Sequence, residues 1–138
     1  NITEKEEIIK QLFTQYINKD LPISKLVNTY YFDSPGCILK YSLDLENNDL
    51  DIFNNKFSSI SYLIEKYSKD KSLETLSFIS LFIEHFYNEI CMKNLSNMHI
   101  YFFNKNKILE KLNNMKKFNL DEKNVFIEIK DILANDAK

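Results

Sequence analysis

His85 and Glu89 stand four residues apart, with Glu84 beside the histidine. On a helix that spacing stacks an imidazole and a carboxylate on one face, where they can share a metal ion or work as an acid–base pair. His99 or Cys91 could supply a further ligand, but no spacing requires either. A partly buried histidine bonded to its own helix is the stronger reading, so neither a metal, a cofactor nor a catalytic group is expected here. The other cysteine, Cys37, is far from Cys91 in sequence, and two isolated cysteines form neither a zinc motif nor a disulfide framework.

A second cluster joins charge to aromatics. Lys105, Lys107, Lys111, Lys116 and Lys117 follow Tyr101, Phe102 and Phe103, with Glu110 the one acidic residue among them. Lysines beside aromatic rings suit single-stranded nucleic acid or an acidic membrane surface. The same run also carries an inward stripe, and a solvated helix face explains its lysines more simply. No nucleophile elbow, zinc-protease helix or phosphate-binding loop is present. An enzyme is therefore not expected.

Composition narrows the classes further. The 138 residues are 44% hydrophobic and 28% charged, as in an ordinary globular protein, and no apolar run is long enough to cross a membrane. One glycine and two prolines leave little material for Rossmann-type turns. All eighteen basic residues are lysine, which points to codon bias in an AT-rich genome. Without guanidinium groups, any anion must be met by lysine or backbone donors. A cytoplasmic location is the default expectation; the start at Asn1 without a methionine leaves a fragment or a processed chain open.

These residues need elements to hold them, and the pattern is helical. The stretch 73–95 carries Leu76, Ile79, Ile83, Phe86, Tyr87 and Ile90 at steps of three and four, with Ser72 as its cap. A second, interrupted face holds Phe78, Leu81, Phe82, His85 and Met92. A helix apolar on nearly two sides is a central one. If neighbours leave the second face open, it is a groove for a ligand or partner. Around it the spacing predicts helices over 4–18, opened by a Thr3/Glu6 capping box, and from Pro22 to about 32. Others are predicted over 49–68 with Asn48 as cap, over 106–117, and after an Asn119/Glu122 capping box. Two stretches are ambiguous, 39–45 and 98–103, because their alternating residues also suit short strands. The expectation is an all-α protein, one bundle of six or seven helices around 73–95, with α+β as the minor alternative.

At the start of the chain, Leu12-Phe13 is followed by Ile23-Ser24-Lys25-Leu26-Val27 and then by Ser34-Pro35-Gly36-Cys37-Ile38-Leu39-Lys40-Tyr41. Residues 1–42 resemble in this spacing the helix-turn-helix head of TetR-type transcriptional regulators. The resemblance implies that Ser34 caps a recognition helix and that Ser34, Cys37, Leu39, Lys40 and Tyr41 lie near DNA. It also implies a dimer whose helical body binds a small apolar ligand. The sequence departs from that pattern by one extra residue before the third helix, by Tyr31 at the turn glycine and by Ser42 at the closing aromatic. Residues 1–45 also carry five lysines against six acidic groups, an unfavourable balance for a surface facing phosphates.

Two functions follow as expectations. One is a degenerate or truncated TetR-like regulator, which needs Lys40 and Tyr41 exposed. The other is a small helical interaction module, of the immunity or antagonist type, that binds a protein partner through an apolar groove.

Overall fold

The computed structural model describes residues 1–17, 22–29, 34–50 and 56–138. Among them are seven α-helices, one short 3-10 turn and no strand, so the protein is all-α. The chain divides into two compact units, Asn1–Ile52 and Phe53–Lys138.

The first unit holds α1 (Ile2–Tyr16), α2 (Ile23–Thr29) and α3 (Pro35–Glu46), with α1 packed against both of the others. Helix α1 starts earlier than the Thr3/Glu6 capping box suggests, because the Asn1 side chain accepts the Thr3 N–H at 3.0 Å. Helix α3 opens as its sequence predicts. Ser34 accepts the Cys37 N–H at 3.2 Å, and Pro35 occupies the first turn, where its missing N–H costs nothing. The possible strand at 39–45 is helix, and Ile38, Tyr41, Ser42 and Leu45 form its buried stripe at steps of three and four. Asn48 and Asp49 do not open the following helix. They close α3: Leu50 N–H returns to the Leu45 carbonyl at 2.8 Å, and Asp49 takes a left-handed φ of 56°. The expected end of α2 near residue 32 and positions 51–55 of the helix expected over 49–68 lie outside the described residues.

The second unit is a four-helix bundle. Helices α4 (Lys56–Asp70), α5 (Leu73–Lys93), α6 (Met98–Phe118) and α7 (Glu122–Asp136) are joined by short links and pack in a closed ring, each against the next and α7 against α4. Short links force neighbours to run antiparallel. At the α4–α5 corner, Lys71 adopts a left-handed φ of 53°, and the Asp70 carboxylate accepts from Ser72 N–H at 2.8 Å and from Thr75 Oγ at 3.2 Å. Lys71 also pairs with Glu122, tying that corner to the start of α7. The α6–α7 corner corrects another expected cap: Asn119 is left-handed at φ 51°, ψ 47° and ends α6, while Asp121 caps α7 by accepting the Lys123 N–H at 3.1 Å. Ser72 caps α5 as predicted.

The core is the inward stripe of each helix, including Ile60, Leu63, Ile79, Ile83, Ile108 and Ile129, all fully buried. Burying a side chain of this size contributes about 1.5–3 kcal/mol. Helix α6 begins at Met98, not near 106, so the possible strand at 98–103 is its first turn and a half. Tyr101, Ile108, Leu112 and Met115 form its inward face. Helices α5 and α6 have 21 residues each and α7 has 15. The six-residue difference projects the α5–α6 hairpin roughly 9 Å beyond the last turn of α7, at 1.5 Å rise per residue.

Candidate interaction surface

The level at which α7 ends is fixed by a polar clamp. The Tyr87 hydroxyl of α5 donates to Asp136 Oδ2 at 2.7 Å, and Asn104 Nδ2 of α6 donates to both Asp136 oxygens at 3.1 and 2.9 Å. The last turn of α7 is thereby fastened to both long helices. Burial pushes the Tyr87 hydroxyl well above its ordinary pKa, and the bond to the Asp136 carboxylate adds to the shift, so the tyrosine stays a neutral donor. Its ring meets Phe86 and Tyr101 with centroids 5.2 and 6.4 Å apart.

Beyond this clamp the hairpin changes character. Met92, Leu95, Met98, Ile100, Phe102 and Phe103 are all exposed, with Met92 at 79% and Phe103 at 69%. On α6, Tyr101 is turned inward, while Met98, Ile100, Phe102 and Phe103 spread around the solvent side. A cavity of about 420 Å³ adjoins this end. Ile90, Ile100 and Tyr101 give it apolar walls, and Lys93, Asn94 and Asp136 give it a polar edge.

Cations flank the same end. The Lys105 ammonium lies 5.1 Å from the Phe102 ring centroid. Lys107 and Lys111 share Glu128, at 3.7 and 2.8 Å. The Lys111 hydrogen bond leads in holding the Glu128 carboxyl below the usual range. Two ammonium groups on one carboxylate leave a surplus positive charge. Lys93 pairs at 3.1 Å with Glu89, one turn back on α5.

The residues singled out in the sequence are only partly brought together. On the second face of α5, Phe82 is fully buried, Phe78, Leu81 and His85 are half-buried, and Met92 is exposed at the far end. That face is therefore not one open groove: Phe82 belongs to the core, and only Met92 joins the exposed end. Among the described residues, no three of His, Cys, Asp and Glu are grouped so that they could hold a metal ion. Cys37 and Cys91 are free thiols, each half-buried. In α3, Ser34 and Lys40 are exposed and Leu39 is half-buried, but Tyr41 is 1% exposed. Its place between Ile38 and Leu45 on the buried stripe turns the ring inward, away from where a DNA contact requires it.

The aromatic run 101–103 likewise divides, with one ring in the core and two outside. The apolar end as a unit was missed in the sequence because a helix start and a loop share its composition. The signal that could have found it is the absence of acidic residues from 90 to 109 beside so many large apolar ones. Comparison with protein-family models, curated proteins and solved structures finds no match for this chain.

Proposed function

We propose that the protein is a helical interaction module that binds a protein partner through the projecting end of the α5–α6 hairpin. One observation carries this reading: six large apolar side chains are exposed within the twelve residues 92–103. At roughly 100 Å² of exposed surface each, they amount to about 600 Å² in all, as much apolar surface as the largest single patch on a typical monomer. A specific interface covers about 800 Å² per partner with an apolar centre and a polar rim. The patch, with Lys93, Lys105 and Asn94 around it, has the composition of such a centre and rim.

The clamp at Asp136 supports the same reading, since it holds the long helices rigidly at the base of the patch and lowers the ordering cost of binding. The DNA-binding regulator is favoured by the Ser34 cap and by exposed Lys40, but it also needs Tyr41 at the surface, and that residue is buried. No helix among the described residues is long and apolar enough to cross a membrane.

The test is a comparison of the wild-type chain with the double variant Phe102→Asp/Phe103→Asp as baits in native extract, quantified by mass spectrometry. Both residues are exposed, so the variant keeps the wild-type melting temperature while losing a defined partner. A variant that retains every partner at wild-type yield overturns the proposal.

A further inference from the structure

We infer that the partner is a second copy of this chain, packed antiparallel along the outer side of the α5–α6 hairpin so that Phe102 of each copy enters a cavity of the other. This rests on the reading of the hairpin end as a protein-binding surface and names what binds there.

One side of the hairpin carries both a projection and a receptor for it. On α6, Phe102, Leu109 and Lys116 are spaced by seven residues, two turns each, so they share one stripe on the flank toward α5. Phe102 is 59% exposed on that stripe, with exposed Met98 one turn before it. Further along, the stripe runs into a cavity of about 300 Å³ between α5 and α6. Leu73, Leu76, Leu109 and Leu112 give it apolar walls, and the small side chains of Ser77 and Ser80 leave it open. Both serines turn their hydroxyls back to their own helix, Ser77 to the Leu73 carbonyl at 3.0 Å and Ser80 to the Leu76 carbonyl at 3.3 Å. The cavity therefore asks for an apolar occupant. Its middle, between Leu109 and Lys116, lies about ten residues from Phe102, or about 15 Å along α6. A copy cannot fill its own cavity with its own ring.

Two copies laid face to face with antiparallel helices reverse these levels. A two-fold axis crossing α6 midway between Phe102 and the cavity sets each ring over the other copy's cavity, and both contacts form at once. Such an isologous contact closes at two copies. A foreign helix could fill the cavity but would leave Phe102 and Met98 to be covered separately.

Charge and area agree with this pairing. Glu84 and Glu110 stand against Lys105, Lys116 and Lys117 on this side, close to balance, so a second copy is not repelled. The reversal carries Lys116 of one copy to the level of Met98 and Phe102 in the other, where an ammonium can lie against the ring. Helices α5 and α6 have 21 residues each, so the side they share measures about 30 by 20 Å, or about 600 Å² before its relief is counted. A stable interface takes about 800 Å² per partner, which two rings seated in two cavities approach.

The test is sedimentation velocity of the full chain. A species of twice the chain mass is expected to grow with concentration and to predominate by about 100 μM. Phe102→Ala removes the projection and Ser77→Trp fills the cavity, and each should weaken self-association about tenfold or more. Both residues are exposed, and far-UV circular dichroism at a concentration where the wild type is monomeric checks that the variants fold. An equal mixture of the two variants should regain the dimer. The intact Phe102 of one enters the open cavity of the other, while the tryptophan faces the position from which the ring is gone.

A wild-type chain that stays monomeric at about 100 μM overturns the inference. The docking surface then still stands if Phe102→Asp/Phe103→Asp loses a different protein from native extract, and both fall if it loses none. Self-association untouched by either variant, or two monomeric variants that do not recombine, overturns the antiparallel pairing and with it the inference.

Discussion

Replacing Asp136 by alanine removes the acceptor on which two helices converge. The Tyr87 hydroxyl loses a 2.7 Å bond, and Asn104 loses both of its contacts to the carboxylate. Tyr87 is 1% exposed, and its hydroxyl is left without the acceptor it has in the folded protein. A buried donor left without a partner costs about 1–3 kcal/mol, and a hydrogen bond to a charged group contributes about 1.5–3 kcal/mol. Asn104 is only half-buried and can be rehydrated, so the expected loss is about 2–3 kcal/mol rather than the full sum. For a unit of this size that corresponds to a fall in Tm of roughly 8–24 °C. Tyr87→Phe deletes the donor but leaves the carboxylate bonded to Asn104, and should cost about 1 kcal/mol. The double variant should cost less than the two single losses together, because the bond is removed only once.

The assay is urea unfolding followed by far-UV circular dichroism. A loss under about 0.5 kcal/mol in Asp136→Ala, with an unchanged m-value, would refute the reasoning. The same pair gives a pH signature. The pKa of Tyr87 is raised in the folded state from its ordinary value of 10.0, so its contribution is complete below pH 10. Above pH 10 the unfolded tyrosine ionises while the folded one does not, and stability falls by about 1.4 kcal/mol per pH unit. Tyr87→Phe should remove that part of the alkaline slope, and an unaltered slope would show that the ring is not held neutral by its surroundings.

Other outcomes follow from single positions. Phe82→Ala should destabilise by about 3–5 kcal/mol, because the ring is fully buried; a chemical denaturation midpoint close to wild type would return Phe82 to the surface groove. In α3, Ser34→Ala should cost about 1 kcal/mol through loss of the cap, whereas Gly36→Ala should stabilise by about 0.5–1 kcal/mol, since a Cβ there meets nothing within 4 Å. Opposite signs in thermal melts of the two variants are the check.

The helices were legible in the sequence wherever one face is apolar and the other polar. Helix α5 shows this: Leu76, Ile79, Ile83, Phe86 and Tyr87 are buried at the expected spacing, and Ser72 caps it. Reading failed at asparagine. Asn48 and Asn119 suit either a helix start or a left-handed helix end, and in a chain with one glycine they and Asp49 serve the ends. Tyr41 belongs to a run whose alternation imitates a strand, so its inward direction depended on which period held. The start of α6 was hidden for a related reason. Its outer face is as apolar as its inner one from Met98 to Phe103, which erases the periodicity that marks an amphipathic helix.

The most direct measurement places a photo-crosslinking residue at position 103 and, separately, at Lys69, an exposed position on α4. Irradiated in native extract, the chain labelled at 103 should give a discrete protein adduct that the chain labelled at 69 does not. Adducts of equal yield and identity from both positions, or none from 103, would contradict a docking surface at the end of the α5–α6 hairpin.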